Sequence, residues 1–104
     1  MAKFMYLYRG RPPELTPQQA AERMAAFGAW IERVGPALTD GGSPFGSSTS
    51  IRDDGGEGTP SELFGYSIVE AEDLDAAREL TGGLPILAGG GGDYAVEIFE
   101  LAPM

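Results

Sequence analysis

Glu97 stands between Val96 and Ile98 in the apolar run of residues 94–101, the one carboxylate of the chain set mid-run among large apolar neighbours. Burial without a nearby cation raises a carboxylate's proton affinity, which is what a general base needs near neutral pH. A hydroxyl from Tyr6 or Tyr66 would complete an acid–base pair, enough for a cofactor-free isomerase or lyase. If Glu97 does no chemistry, an Arg or Lys should hold it in an ion pair. The tyrosines form a wider constellation. Tyr6, Tyr8, Tyr66 and Tyr94 come from three separate apolar stretches, and a buried Tyr needs a partner for its hydroxyl. A pocket bordered by Tyr6, Tyr8, Tyr66 and Trp30 would offer a ligand apolar walls with polar handles. Ordinary packing competes with that reading, because Tyr is a good strand residue. Arg9 and Arg11 either neutralise Asp53 and Asp54 across a loop or, Arg9 above all, hold a carboxylate ligand.

Much other chemistry is closed. The 104 residues contain no Cys and no His, which removes thiolate nucleophiles, disulfides, Ser-His-Asp triads and the usual zinc and haem ligands. No metal and no cofactor is expected. Seven Lys and Arg against 16 Asp and Glu leave a formal charge of −9, which opposes binding to nucleic acid or to an anionic membrane. Gly89 to Gly92 precede a strand rather than open a helix, and Asp93 follows where a phosphate would want a cation. The acidic loop at Asp53, Asp54 and Glu57 fails as a calcium hand, since Gly55 and Phe64 fall where carboxylates are required. No secretory leader opens the sequence, and no apolar run reaches the roughly 18–20 residues that span a bilayer. A soluble, cytoplasmic protein of one domain over residues 1–104 is expected.

The elements that must position these residues read as follows. Residues 3–9 form a strand with Met5 and Leu7 on one face and Phe4, Tyr6 and Tyr8 on the other. Both faces are apolar, so its sheet needs cover on both sides, and a second copy of the chain is the economical source. Thr16, Pro17 and Gln19 open a helix with a capping box. Its apolar stripe runs through Ala20, Met24, Phe27, Ile31 and Val34, with Trp30 at the edge, and Gly35-Pro36 ends it. Residues 38–46 read as a connection and residues 47–52 as a polar strand whose one large apolar residue is Ile51. After the glycine-rich loop at 53–60, residues 63–71 form a strand with Phe64, Tyr66 and Ile68 on one face and Val69 and Ala71 on the other. Asp73 caps a short helix that stops at Gly82-Gly83, and residues 94–101 make the last strand. The order βαββαβ predicts a ferredoxin-like α+β fold, with a four-stranded antiparallel sheet and both helices on one face.

Several of these stretches together resemble the YCII-related superfamily near its DGPF branch. They are Lys3 to Leu7, Ala29-Trp30, Arg52-Asp53-Asp54-Gly55, the run Gly65-Tyr66-Ser67-Ile68-Val69-Glu70-Ala71 and Asp73-Leu74-Asp75-Ala76-Ala77. The resemblance covers nearly the whole chain and implies a dimeric α+β barrel. Two features depart from the family pattern. Asp54-Gly55-Gly56-Glu57 stands where the branch carries Asp-Gly-Pro-Phe, and the His–Asp pair of some members cannot form without a His. The expected function is a homodimer that binds a small molecule in the aromatic-bordered pocket. The alternatives are the carboxylate–Tyr isomerase or lyase and, from the resemblance, a regulatory partner linked to sigma factors of the extracytoplasmic type.

Overall fold

β1 (Ala2–Arg9) is an inner strand of the sheet, paired antiparallel on one side with β3 (Leu63–Ala71) and on the other with β4 (Ala95–Glu100). β2 (Leu38–Pro44) completes the order β2-β3-β1-β4 from the edge beside β3. The computed structural model describes residues 1–103. Two helices, α1 (Pro17–Val34) and α2 (Leu74–Glu79), pack on one face of the antiparallel sheet, the α+β ferredoxin-like arrangement expected. Alternation along β1 sends Phe4, Tyr6 and Tyr8 into the core with Val69, Val34 and Ala77. The opposite face carries Met5, Leu7, Ile68 and Phe99, and neither helix covers it.

Local chemistry accounts for both helix starts. Gln19 N–H donates to the Thr16 hydroxyl at 3.2 Å and Thr16 N–H donates to the Gln19 side chain at 3.0 Å, the reciprocal capping box. Asp73 accepts from Ala76 N–H at 2.8 Å at the start of α2. At the end of α1, Gly35 takes φ 61° and its N–H returns to the Ile31 carbonyl.

The rotation of α1 differs from the expected stripe. The line that meets the sheet is Phe27, Trp30 and Val34, whereas Met24 is 76% and Ile31 44% exposed. Trp30 is a core residue rather than an edge residue. Its indole N–H donates to the Leu80 carbonyl at 2.8 Å, and Arg33 donates to the carbonyls of Leu80 and Gly82. These bonds fix α1 against the end of α2 and turn the Met24–Ile31 flank away from the core.

The second strand also lies elsewhere than expected. Residues 38–44 pair with β3, while residues 47–52 contribute one isolated bridge, Ile51 to Glu57, around the Arg52–Gly56 turn. Gly41, Gly42 and Pro44 read as turn residues. On an edge strand Pro is tolerated and Gly permits bulges, and the pairing slips register on both sides of Asp40. Gly42 has φ +79°, and a Cβ built there would stand 1.6 Å from the Tyr66 carbonyl oxygen, so β2 can lie this close to β3 only with glycine at that position.

Arg9 and Arg11 choose partners other than Asp53 and Asp54. Arg9 pairs with Glu97 at 3.3 Å and Arg11 with Glu62 at 3.6 Å, while Asp54 pairs with its neighbour Arg52 at 3.6 Å. No helix among the described residues is long and apolar enough to cross a membrane.

Candidate functional site

A bulge at the end of β1 builds the floor of the site. Tyr8 pairs with Gly65 and Arg9 with Leu63, which leaves Phe64 as the extra residue. Phe64 therefore leaves the face of Tyr66 and Ile68 and packs among the core-side aromatics. Its ring centre lies 6.1 Å from that of Tyr8 and, edge-on, 6.1 Å from that of Tyr94. Gly65 makes room for the Tyr8 ring, since a Cβ there would come within 3.2 Å of Tyr8 Cδ2.

The Tyr8 hydroxyl donates to Ser67 Oγ at 2.6 Å, and Ser67 Oγ donates to the Gly41 carbonyl at 2.9 Å. Ser67 is 2% exposed and is the buried polar side chain of the described residues. It faces the helices because β3 alternates, placing Gly65, Ser67, Val69 and Ala71 inward. Burial pushes the Tyr8 phenol above its ordinary value of 10, with the Ser67 hydrogen bond opposing. The pair is thus neutral near pH 7, and with one Ser67 lone pair free it can still accept a hydrogen bond.

Above this pair opens a cleft of about 480 Å³ between α1 and β2. Met24, Phe27, Gly28 and Ile31 form the helix wall, Gly41 to Pro44 form the strand wall, and Tyr8, Phe64 and Ser67 lie at the base. The flank of α1 that the sheet leaves unused is therefore the flank that makes the cleft. A second cleft, about 500 Å³, lies beside Asp75, Arg78, Thr81 and Tyr94, and its lining includes no buried polar side chain. Among the described residues, no three acidic side chains gather as a metal site.

The expected pocket residues are divided among three places. Tyr8 lies in the cleft. Tyr6 and Trp30 are core residues, their rings 6.4 Å apart, and the Tyr6 hydroxyl donates to the Ala77 carbonyl. Burial, with Tyr8 adding and Arg33 opposing, pushes the Tyr6 phenol up to about 12, which makes it a structural donor rather than an acid. Tyr66 points to the other face of the sheet, stacked on Phe45 at 6.0 Å and donating to Asp40 Oδ2 at 3.3 Å, and touches the cleft at its rim. Arg9 and Glu97 lie on that same outer face, joined to each other at 3.3 Å.

The acid–base pair expected of Glu97 is not assembled within this chain. Glu97 faces away from Tyr6 across the sheet. It is two strands from Tyr66, with Leu7 between them, a backbone separation of about 10 Å. The sequence does not single out the inward residue Ser67 or the cleft residues Phe27, Gly28 and Gly41 as members of a site. Ser67 had a signal, a small polar residue in phase with the inward Val69 and Ala71. Gly28 had one too, a glycine inside a strongly capped helix.

No family model matches the chain, and no curated protein matches it by sequence. Among solved structures it is similar to 5-chloro-2-hydroxyhydroquinone dehydrochlorinase from Burkholderia phenoliruptrix AC1100, in complex with 2,5-dihydroxybenzoquinone. The two share 22% identity over 96% of this chain and 93% of that chain, with a TM-score of 0.61. At this identity the likeness is one of fold: a four-stranded antiparallel sheet with two helices, of the dimeric α+β barrel kind.

Proposed function

We propose that this chain is a YCII-related homodimer that binds a small, largely apolar molecule carrying a polar group, in the cleft between α1 and β2. The observation that carries the reading is the buried Tyr8–Ser67 hydroxyl pair at the base of an otherwise apolar cleft. A few placed polar groups among apolar walls are what orient a ligand. The similar solved structure holds a small hydroxylated ring, which supports the same chemical class here. The test is calorimetric titration of the protein with 2,5-dihydroxybenzoquinone and simple phenols. Saturable binding is expected for at least one of them. Ser67→Ala leaves the Tyr8 hydroxyl without its acceptor and should weaken that binding about tenfold. Binding that is equally tight in Ser67→Ala and Tyr8→Phe would remove the hydroxyl pair from the site.

The dimer rests on the uncovered sheet face. Met5, Leu7, Ile68 and Phe99 form an apolar surface that neither helix covers and that has no partner among the described residues, and Phe99 is 53% exposed. Pairing this face with a second copy closes it, and light scattering at micromolar concentration should report twice the 10.9 kDa of one chain. A stable single-chain mass removes the dimer and leaves the cleft reading standing.

A further inference from the structure

Gly28 occupies the interior of α1, where glycine is less favourable than alanine because it loses more backbone freedom on folding. Glycine inside a helix or strand has an internal explanation when the backbone needs positive φ or when another part of the chain presses close. Gly28 has neither, for a Cβ built on it meets nothing within 4 Å. Gly41 in β2 is the same, whereas its neighbour Gly42 has both positive φ and a backbone clash. Gly65, the remaining glycine inside a strand, is in contact with Tyr8 and Ser43. The two glycines of the regular elements that the fold does not require therefore both line one cleft, one on each wall.

We propose that the bare backbones at Gly28 and Gly41 make this cleft a slot for a flat ring, so that it selects planar hydroxylated aromatic molecules over saturated rings of the same size. The inference rests on the cleft being the binding site and specifies what enters it. A backbone that has no Cβ lets a ring face come to contact distance, about 3.5–4 Å, and the cleft has such a backbone on each wall. Met24 and Ile31 lie four residues before and three after Gly28, so they flank it on one helix face. Both are exposed apolar side chains that would cover the ring's edges, Met24 adaptably. The ring's hydroxyl would reach the free lone pair of Ser67 or the Tyr8 oxygen at the base. A puckered ring is thicker and loses contact with one wall.

The probes are 2-naphthol and decahydro-2-naphthol, which share a carbon skeleton and a hydroxyl and differ in flatness. They are titrated into the full chain and into Gly28→Ala, Gly28→Ser and Gly41→Ala. The native protein should bind 2-naphthol at least about tenfold more tightly, and each variant should lose about tenfold of that affinity, as an added methyl in a filled site does. Gly28→Ala should at the same time raise Tm by a few degrees, because the helix gains and no internal contact is lost. A stabilised protein with weakened binding is an outcome that a purely structural role for Gly28 does not produce. Equal affinity for the two alcohols, or undiminished 2-naphthol binding in the glycine variants, overturns the slot while leaving the cleft as a site. No saturable binding of any ring compound to the native protein overturns the cleft reading and the slot together.

Discussion

Trp30→Ala is expected to lower the unfolding free energy by about 3–5 kcal/mol, the loss typical of deleting a buried aromatic side chain. Domains of this kind are held by only about 5–15 kcal/mol in total, so the variant should be partly unfolded at physiological temperature. Trp30 is 3% exposed, rests against Tyr6 and reaches across to the carbonyl of Leu80. It is therefore both core volume and the joint between α1 and α2. Urea unfolding followed by far-ultraviolet circular dichroism measures the loss without relying on the chain's single Trp as the reporter. Trp30→Phe separates the two roles. It keeps most of the ring and deletes the N–H, while Arg33 still donates to the Leu80 carbonyl at 2.9 Å. That variant should lose only about 1–2 kcal/mol. An alanine variant within about 1 kcal/mol of the native protein would mean that the two helices are held together elsewhere.

The same residue marks the limit of what the sequence made legible. Three helix boundaries are legible because their caps are local: Thr16 with Gln19, Asp73 with Ala76, and Gly35 at the end of α1, whereas α2 ends at Glu79, short of the stop expected at Gly82-Gly83. The inward face of β1 was readable because strand alternation is local too. The rotation of α1 was not, because five apolar residues at spacings of four and three also describe a helix with two duties. Phe27 and Val34 serve the core, Met24 and Ile31 flank the cleft, and a hydrogen bond to Leu80, distant in sequence, decides the division. β2 was hidden for a related reason. Asp40-Gly41-Gly42 has the composition of a turn, and only the presence of β3 beside it makes a strand of it. Simple alternation puts Phe64 on the face of Tyr66, whereas a bulge opposite Tyr8 inserts one residue and turns Phe64 to the core side. The candidate site lies where these three non-local events meet. That is why the tyrosines divide among core, cleft and outer face, and why Ser67 does not stand out in the sequence.

Gly42→Ala should be the more damaging of two adjacent substitutions that look equivalent in the sequence. At Gly42 the new Cβ would lie 1.6 Å from the carbonyl oxygen and 2.5 Å from the carbonyl carbon of Tyr66, both backbone atoms that no rotamer change can move aside. The left-handed φ adds about 1–2 kcal/mol for any residue with a Cβ. The strand must move off β3 or the sheet must part, and a loss of about 3 kcal/mol or more follows. Movement of β2 also withdraws the Gly41 carbonyl from Ser67 and Asp40 from the Tyr66 hydroxyl, so the wall and base of the cleft fail together. Gly41→Ala meets nothing within 4 Å and has an ordinary φ, so its stability should stay within about 0.5 kcal/mol of the native protein. Parallel urea titrations of the two variants give the comparison. Equal stabilities would mean that β2 does not lie against Tyr66 as described. The expected inequality would establish that one glycine of the pair holds the strand in place and the next keeps its surface bare, so that changes in ligand binding at Gly41 report on the cleft and not on the fold.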